Sequence, residues 1–352
     1  MITESLLKEI DKGIDGKLWG YTMGLPKLEN IIDGVSKSTY TLLFANSGVG
    51  KSNFMLYAYI YKPLMEHLDD GKYKITLFAL EMKAEIIMAK LLCTYIYLNF
   101  GIELSFKELL SKKRNYILSK ENRDIVEKCI PWMHKVEEHL TIYDKGLTAE
   151  SMYAILIKEL KSRGHFEETE TRKIYIPDDP DIIHSVIIDH AGLIKQNNGR
   201  SKKQEIDLVS SYLVTLRNSC GISPLMIMQS NRDQASSARR QQGFFLPQTS
   251  DVKETNVPVE DAEIILAVYN PNVDKRATHE GYDIKQLGNN FRSIVCLKNR
   301  YGESNVQDCC AFYGKSNIWE ELPAPDYIHD YSQYTDKKCK VDNSNENLNF
   351  VM

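Results

Sequence analysis

One short stretch, Phe44-Ala45-Asn46-Ser47-Gly48-Val49-Gly50-Lys51-Ser52, limits the folds open to this chain. The apolar run Tyr40 to Phe44 leads into it, and the helix-compatible Asn53-Phe54-Met55-Leu56 follows. Strand, small-residue loop, Gly-Lys-Ser and helix make the phosphate-binding loop of a nucleotide triphosphatase. Small residues let successive backbone N–H groups curl around a phosphate, and the helix start adds partial positive charge. Lys51 is placed to reach the β- and γ-phosphates, and the Ser52 hydroxyl to ligate Mg²⁺. Ala45 stands where the pattern G-x-x-x-x-G-K-[ST] has glycine; alanine is tolerated there if φ stays negative. Residues Ala45, Asn46, Ser47, Gly48, Val49, Gly50, Lys51 and Ser52 are therefore the expected nucleotide cradle.

Such a loop belongs to an α/β sheet, and the rest of the pattern supplies one. Ile75 to Leu80, Leu140 to Tyr143, His184 to Asp189 and Pro224 to Met228 read as strands. Helical patterns separate them: one from Lys51, which Pro63 should disturb or end, and a mostly helical span from Ala84 to His139. Thr148 caps a further helix running to about Ser162, and another spans Glu205 to Ser219. After about residue 230 the strands Ala262 to Tyr269 and Ile294 to Leu297 follow without intervening helices. The order predicts a mainly parallel twisted sheet flanked by helices, with antiparallel strands at one edge. Residues 1–22 form an amphipathic linker-like helix, 23–325 the main domain, and 326–352 a polar, disordered tail. The helix at 2–14 is read either as packed on its own domain or as docked on a neighbouring subunit. Residues 167–180 read as an inserted surface hairpin or loop.

The formal net charge of −4 excludes a globally basic protein, so nucleic-acid contacts must come from local patches or from a channel built by several subunits. The seven cysteines are scattered and lack C-x-x-C spacing, which argues for reduced thiols in a cytosolic protein. No signal peptide opens the chain. The longest apolar run, Ile86 to Phe100, is interrupted by Lys90 and Asn99 and reads as a buried helix, so no membrane partner is expected.

Hydrolysis of a nucleotide triphosphate needs a phosphate cradle, a metal, a group that orients water, and a cation for the charge building on the γ-phosphate. Three side chains sit at predicted strand ends, where an α/β sheet binds its ligand: Glu81, Asp189 and Gln229. Asp189 has the form of a Walker B aspartate holding Mg²⁺ with Ser52. Glu81 suits the general base, and Gln229 a γ-phosphate sensor. Taken alone, each is also compatible with a solvated strand end.

Together these blocks resemble the RecA-like P-loop ATPase domain of the DnaB-type replicative hexameric helicases, from about Gly24 to Gly302. Phe78-Ala79-Leu80-Glu81-Met82 is similar to the family's F-S-L-E-M, whose Glu is the catalytic base. Val186 to Ile194 resembles I-I-D-Y-L-Q-L-I, and Met228-Gln229-Ser230-Asn231-Arg232 resembles S-Q-L-N-R. Asp251-Val252-Lys253-Glu254-Thr255, with Val259 to Glu263, resembles D-L-R-E-S…I-E-Q-D-A-D, a loop that lines the channel and grips single-stranded DNA. Lys298-Asn299-Arg300-Tyr301-Gly302 resembles K-Q-R-N-G, whose Lys and Arg act in trans on the neighbour's nucleotide. The resemblance implies an ATP- and Mg²⁺-dependent helicase, in a homo-oligomeric ring (a hexamer in the family), moving on single-stranded DNA. A helicase loader or primase would be further partners, in the cytoplasm of a bacterium or a virus-infected host. Candidate DNA contacts are Lys253, Glu254 and Asn256, then Arg200, Lys202 and Lys203 on the preceding loop, with Arg239 and Arg240 as lesser candidates.

Departures from the family accompany the likeness. The chain before residue 24 leaves no room for the family's helical N-terminal domain, through which primase is recruited. Lys253 replaces the first channel-loop Arg, and Asn256 replaces a Gly, which implies an altered grip on DNA. A second reading stays open: a RecA-fold ATPase that assembles without unwinding, as a regulatory, loading or scaffolding module.

Overall fold

Strand β1 (Thr41–Ala45), buried along its whole length, lies inside a sheet that the flanking sequence builds on both sides. The structure is a computed structural model that describes residues 2–168, 173–197, 199–230 and 245–335. To one side of β1 stand β7 (Ser223–Gln229), β6 (Ile183–Asp189), β2 (Tyr73–Ala79) and β3 (Leu140–Tyr143), all parallel. To the other side come β8 (Ile264–Tyr269), parallel to β1, then antiparallel β11 (Phe291–Asn299), β12 (Val306–Tyr313) and β13 (Ile318–Glu321). The change from parallel to antiparallel falls after β8, one strand later than the end of strand–helix alternation at about residue 230, and the strands that follow turn back without the crossover a parallel neighbour needs.

Both faces of the sheet are covered, so its central strands are continuous apolar runs. Leu43 and Ala45 face a core shared with the helices Lys51–Glu66 and Ala84–Phe100. Leu42 and Phe44 face a second core, made with the helices Ala149–Lys161 and Lys202–Cys220. Thr148 caps its helix by accepting the Ser151 N–H at 3.3 Å, as its position predicts. Ser201 and Gln204 form a reciprocal capping box that starts the next helix at Lys202, earlier than periodicity places it. Lys202 and Lys203 are thus in a helical first turn and not on the loop. Pro63 does not end the helix that begins at Lys51. The helix passes through a π-helical segment, Met55–Tyr61, and continues to Glu66. Pro63 has no N–H for the Tyr59 carbonyl four residues earlier, and that carbonyl accepts the Tyr73 hydroxyl at 2.6 Å.

The segment expected at 167–180 is an antiparallel hairpin, β4 (Gly164–Glu168) with β5 (Lys173–Pro177). Two short strands, β9 (Thr278–His279) and β10 (Tyr282–Asp283), pair beside the antiparallel edge. The polar stretch after Asp326 is ordered at its start: Ile328, Tyr331 and Tyr334 pack against the core. Residues 336–352, and with them most of the expected tail, lie outside the described residues, as do Asn231, Arg232, Arg239 and Arg240. The six cysteines within the described residues are free thiols, all buried except Cys220. No described helix is long and apolar enough to cross a membrane.

Helix α1 (Ile2–Ile14) forms where its spacing predicts, but its own domain does not cover it. Ile2, Leu6, Leu7, Ile10 and Ile14 are all exposed, Ile2 by 89% and Ile10 by 48%. Of the two readings of this helix, packing on its own domain is excluded.

Candidate active site

The phosphate loop leaves the end of β1 at Ala45, whose φ is not positive, so alanine carries no backbone strain there. The left-handed positions fall at Gly48 (φ +79°) and Gly50 (φ +118°). A Cβ at Gly48 would meet nothing within 4 Å, so the loop is open beside that residue. Gly50 precedes the first helical residue, Lys51, and its carbonyl accepts the Phe54 N–H at 2.8 Å. Lys51 is itself buried. Desolvation pulls its ammonium pKa down, while Asp189 and Glu81 act in the opposite direction.

Asp189 ends β6 and is 1% exposed, with no hydrogen-bond partner on either carboxylate oxygen among the described residues. Burial pushes its carboxyl up to about 6; the Ser52 hydroxyl stands close enough to favour the charged form. A buried carboxylate with two free oxygens needs a compensating group. A hydroxyl and a carboxylate beside a phosphate cradle form the hard oxygen set that suits Mg²⁺, so the residues present fit this ion. Lys90 also reaches the site, donating to Asn53 Oδ1 at 2.7 Å and interacting with Asp189 through its charge.

Glu81 lies just past the end of β2, beside Asp189 because the β2–β6 register pairs Ala79 with Asp189. Its side chain is half-exposed, and Oε2 is 3.9 Å from His190 Nε2. The same His190 nitrogen is 3.2 Å from Gln229 Nε2 at the end of β7. His190 is buried, and desolvation lowers its pKa, so it stands as a neutral imidazole between the two strand ends. The structure therefore brings Lys51, Ser52, Glu81, Asp189 and Gln229 together at the carboxyl ends of the parallel strands, as the sequence predicts.

Lys298 and Arg300 are elsewhere. Strand β11 runs antiparallel to β8, with Lys298 opposite Ile265 and Asn299 opposite Ile264, next to the entry end of β1. Arg300 donates from its backbone to Glu263 O at 3.0 Å and pairs with the Glu263 carboxylate at 3.2 Å. That buried carboxylate also accepts the Tyr40 N–H at 2.9 Å and pairs with Arg217. Lys298 donates to Val259 O and Glu260 O at 2.9 and 3.0 Å. The strand length between Tyr40 and the phosphate loop is roughly 15 Å, so neither cation serves its own chain's loop.

The segment after β7 returns to the site. Ser230 bridges Val252, and Lys253 N–H donates to Gln229 O at 3.0 Å. Lys253, Glu254 and Asn256 are exposed, while Thr255 is buried with its hydroxyl on Asp207 at 2.6 Å. The left-handed residue here is Glu254 (φ +79°), and Asn256 has an ordinary φ of −93°. Among the other candidates, Lys202 donates to Gly192 O at 2.6 Å, and Lys203 is exposed. Arg200 is held by Glu150 and by the fully buried Glu205, the latter at 2.8 Å.

Sequence reasoning misses Lys90, His190, Glu263 and Arg292. Lys90 is visible as the one charge early in an apolar helical run, a signal that argues against a membrane span without pointing to a site. Nothing in the local pattern distinguishes His190 or Glu263, because their partners come from other strands. Arg292 is visible as a lone cation entering an apolar strand.

Comparisons with known proteins bear on the family and the fold. The family model for the DnaB-like helicase C terminal domain matches residues 20–316. The chain is 23% identical to the replicative DNA helicase DnaB of Helicobacter pylori (strain J99 / ATCC 700824), over 76% of this chain and 47% of that protein. It is 21% identical to the replicative DNA helicase DnaC of Bacillus subtilis (strain 168), over 82% of this chain and 53% of that protein. The chain thus spans about half the length of the curated relatives it matches. Among solved structures, an isolated ATPase domain superposes with a TM-score of 0.68 at 18% identity, covering 92% of this chain and 99% of that one. A DnaB-like replicative helicase solved for its interactions with primase gives 0.67 at 18% identity, over 91% and 67%. The glycine loop after β1, the buried Asp189 at the end of β6 and the match across 20–316 lead to one assignment: the chain belongs to the family of DnaB-like helicase C-terminal domains, with a RecA-like α/β fold.

Proposed function

We propose that the protein is an ATP-dependent DNA helicase or translocase of the replicative DnaB type, acting in the cytoplasm as a ring, six-membered in its family. The observation that carries this reading is the position of Lys298 and Arg300, at the end of the sheet opposite the chain's own phosphate loop. A cation there is available only to a nucleotide on a neighbour, so hydrolysis belongs to an interface between copies. Lys51 binds the β- and γ-phosphates, and Ser52 and Asp189 hold Mg²⁺. Held by these two side chains, the ion would offset phosphate charge. Glu81 orients and deprotonates the attacking water, and the neighbour's copy of Arg300 meets the charge that develops in the transition state. Gln229 senses the γ-phosphate, and its carbonyl already holds Lys253, so a shift at Gln229 moves the exposed Lys253–Asn256 segment. Lys253, Glu254, Asn256 and Lys203 are the contacts assigned to single-stranded DNA. Arg200 and Lys202 carry bonds within the chain and are assigned to shaping that surface. A primase or loader, and docking of α1 on the next subunit, complete the proposal; the exposed apolar face of that helix supports the docking.

The test is steady-state ATPase rate against added single-stranded DNA, for wild type and Arg300→Ala, with assembly size followed by light scattering. DNA stimulation that disappears in Arg300→Ala while the assembly persists is the expected result. An assembled, nucleotide-hydrolysing protein whose rate ignores DNA would remove the translocase and leave the non-unwinding assembly.

A further inference from the structure

Arg292, on β11, is 5% exposed and lies behind the phosphate loop. Its Nε donates to Val49 O at 2.6 Å, and its Nη1 donates to Asn289 O and Phe291 O, each at 2.7 Å. Its guanidinium carbon is 5.2 Å from the centre of the Phe312 ring. Burial lowers its pKa to about 10, and among the described residues no carboxylate pairs with it. Arginines held elsewhere in the fold differ: Arg217 has Glu263 and Arg200 has Glu205. Three carbonyls can be satisfied by neutral donors, so the hydrogen bonds alone do not account for a full charge at this position. A charge taken out of water without a counter-ion is unfavourable. It becomes favourable when a ligand brings the opposite charge.

The peptide between Val49 and Gly50 is trans, so the Val49 carbonyl and the Gly50 N–H point in opposite directions. With the carbonyl held from behind by Arg292, the Gly50 N–H is directed to the open side of the loop. That N–H has no backbone acceptor within the chain among the described residues.

We propose that Arg292 is a positioning residue for nucleotide binding: it aims the Gly50 N–H at a phosphate, and the polyphosphate of the nucleotide is its missing counter-charge. The inference rests on the nucleotide-site reading above and adds to it a residue outside the loop. The test is equilibrium binding of MgATP and MgADP at low and high salt to wild type, Arg292→Gln and Arg292→Lys, with kcat and KM alongside.

Arg292→Gln is expected to weaken MgATP binding about tenfold, MgADP less, and to flatten the salt dependence; the loss appears in KM more than in kcat. Arg292→Lys keeps the charge and is expected to stay within about threefold of wild type with the wild-type salt dependence. Wild-type affinity in Arg292→Gln overturns the proposal, as does an equal loss in Arg292→Lys. Should Arg292→Gln fail to fold, a tenfold loss in a normally melting Arg292→Lys overturns it, and retained affinity supports it. A wild-type chain that binds no MgATP refutes the nucleotide site itself, which separates the two failures.

Discussion

Asp189 shows how a single side chain can act against the stability of the free protein. Its two carboxylate oxygens have no hydrogen-bond partner among the described residues, and burial raises its pKa. Asp189→Asn removes that charge without changing the shape. It should raise the melting temperature of the nucleotide-free protein by a few degrees, about 1 kcal/mol, while abolishing Mg²⁺-dependent hydrolysis. Thermal unfolding with and without Mg-nucleotide checks both halves. A second buried acid, Asp308 on β12, gives a pH dependence. Burial and the neighbouring Glu321 push its carboxyl well above the usual carboxylate range. The folded state therefore binds this proton more tightly than the unfolded state. Its stabilising contribution is complete below the ordinary carboxylate range and is lost as pH rises towards neutrality. Asp308→Asn should leave stability at pH 4 nearly unchanged and raise it at pH 8, by about 1 kcal/mol, as measured by denaturant titration at the two pH values.

Helices carry the next set of expectations. The apolar face of α1 buries little within the chain, so it contributes little to the folding of the domain. Replacing Leu6 and Ile10 together by Glu should leave the melting temperature within about 1 °C and reduce assembly size in light scattering, if the face meets a neighbour. The helix after the phosphate loop makes the opposite point. Its π-helical segment and the Tyr73 hydroxyl on Tyr59 O absorb the missing N–H of Pro63. Tyr73→Phe should cost about 1–2 kcal/mol in denaturant unfolding, since it leaves a buried carbonyl without that donor. The sequence signals are good where a helix end is set by its own residues, as at Thr148 and Ser201. At Pro63 they give the disturbance, which is the π-helical segment, but not that the helix continues, because the compensating hydroxyl comes from β2, a strand whose side-chain contacts no local pattern gives.

Across the full sheet, the two groups of residues assigned to the proposed hydrolysis lie apart. Its parallel strands place Lys51, Glu81, Asp189 and Gln229 at their carboxyl ends, and the antiparallel turn-back of β11 places Lys298 and Arg300 at the opposite end. Two inactive variants should therefore complement each other. Mixing Lys51→Ala with Arg300→Ala before assembly should restore ATPase at about a quarter of the interfaces by random mixing, as read by steady-state rate. No recovery would mean that both residues act within one chain.

The general plan of the strands, the phosphate loop and the acids that follow β2 and β6 are all legible in the residues, because each depends on local spacing: an apolar run, a small-residue turn, a charged strand end. So is the antiparallel addition at one edge, which β11, β12 and β13 make, whereas the parallel pairing of β8 with β1 is not. Other features exist only once the chain is folded. Helix α1 is left uncovered, and Arg200 is bound by Glu150 and Glu205. His190 stands between Glu81 and Gln229, and Arg292 supports the phosphate loop from a strand far along the chain. These are contacts between residues distant in sequence. They are set by the register of strands and the packing of two cores, and no local pattern of residues encodes which side chain will meet which.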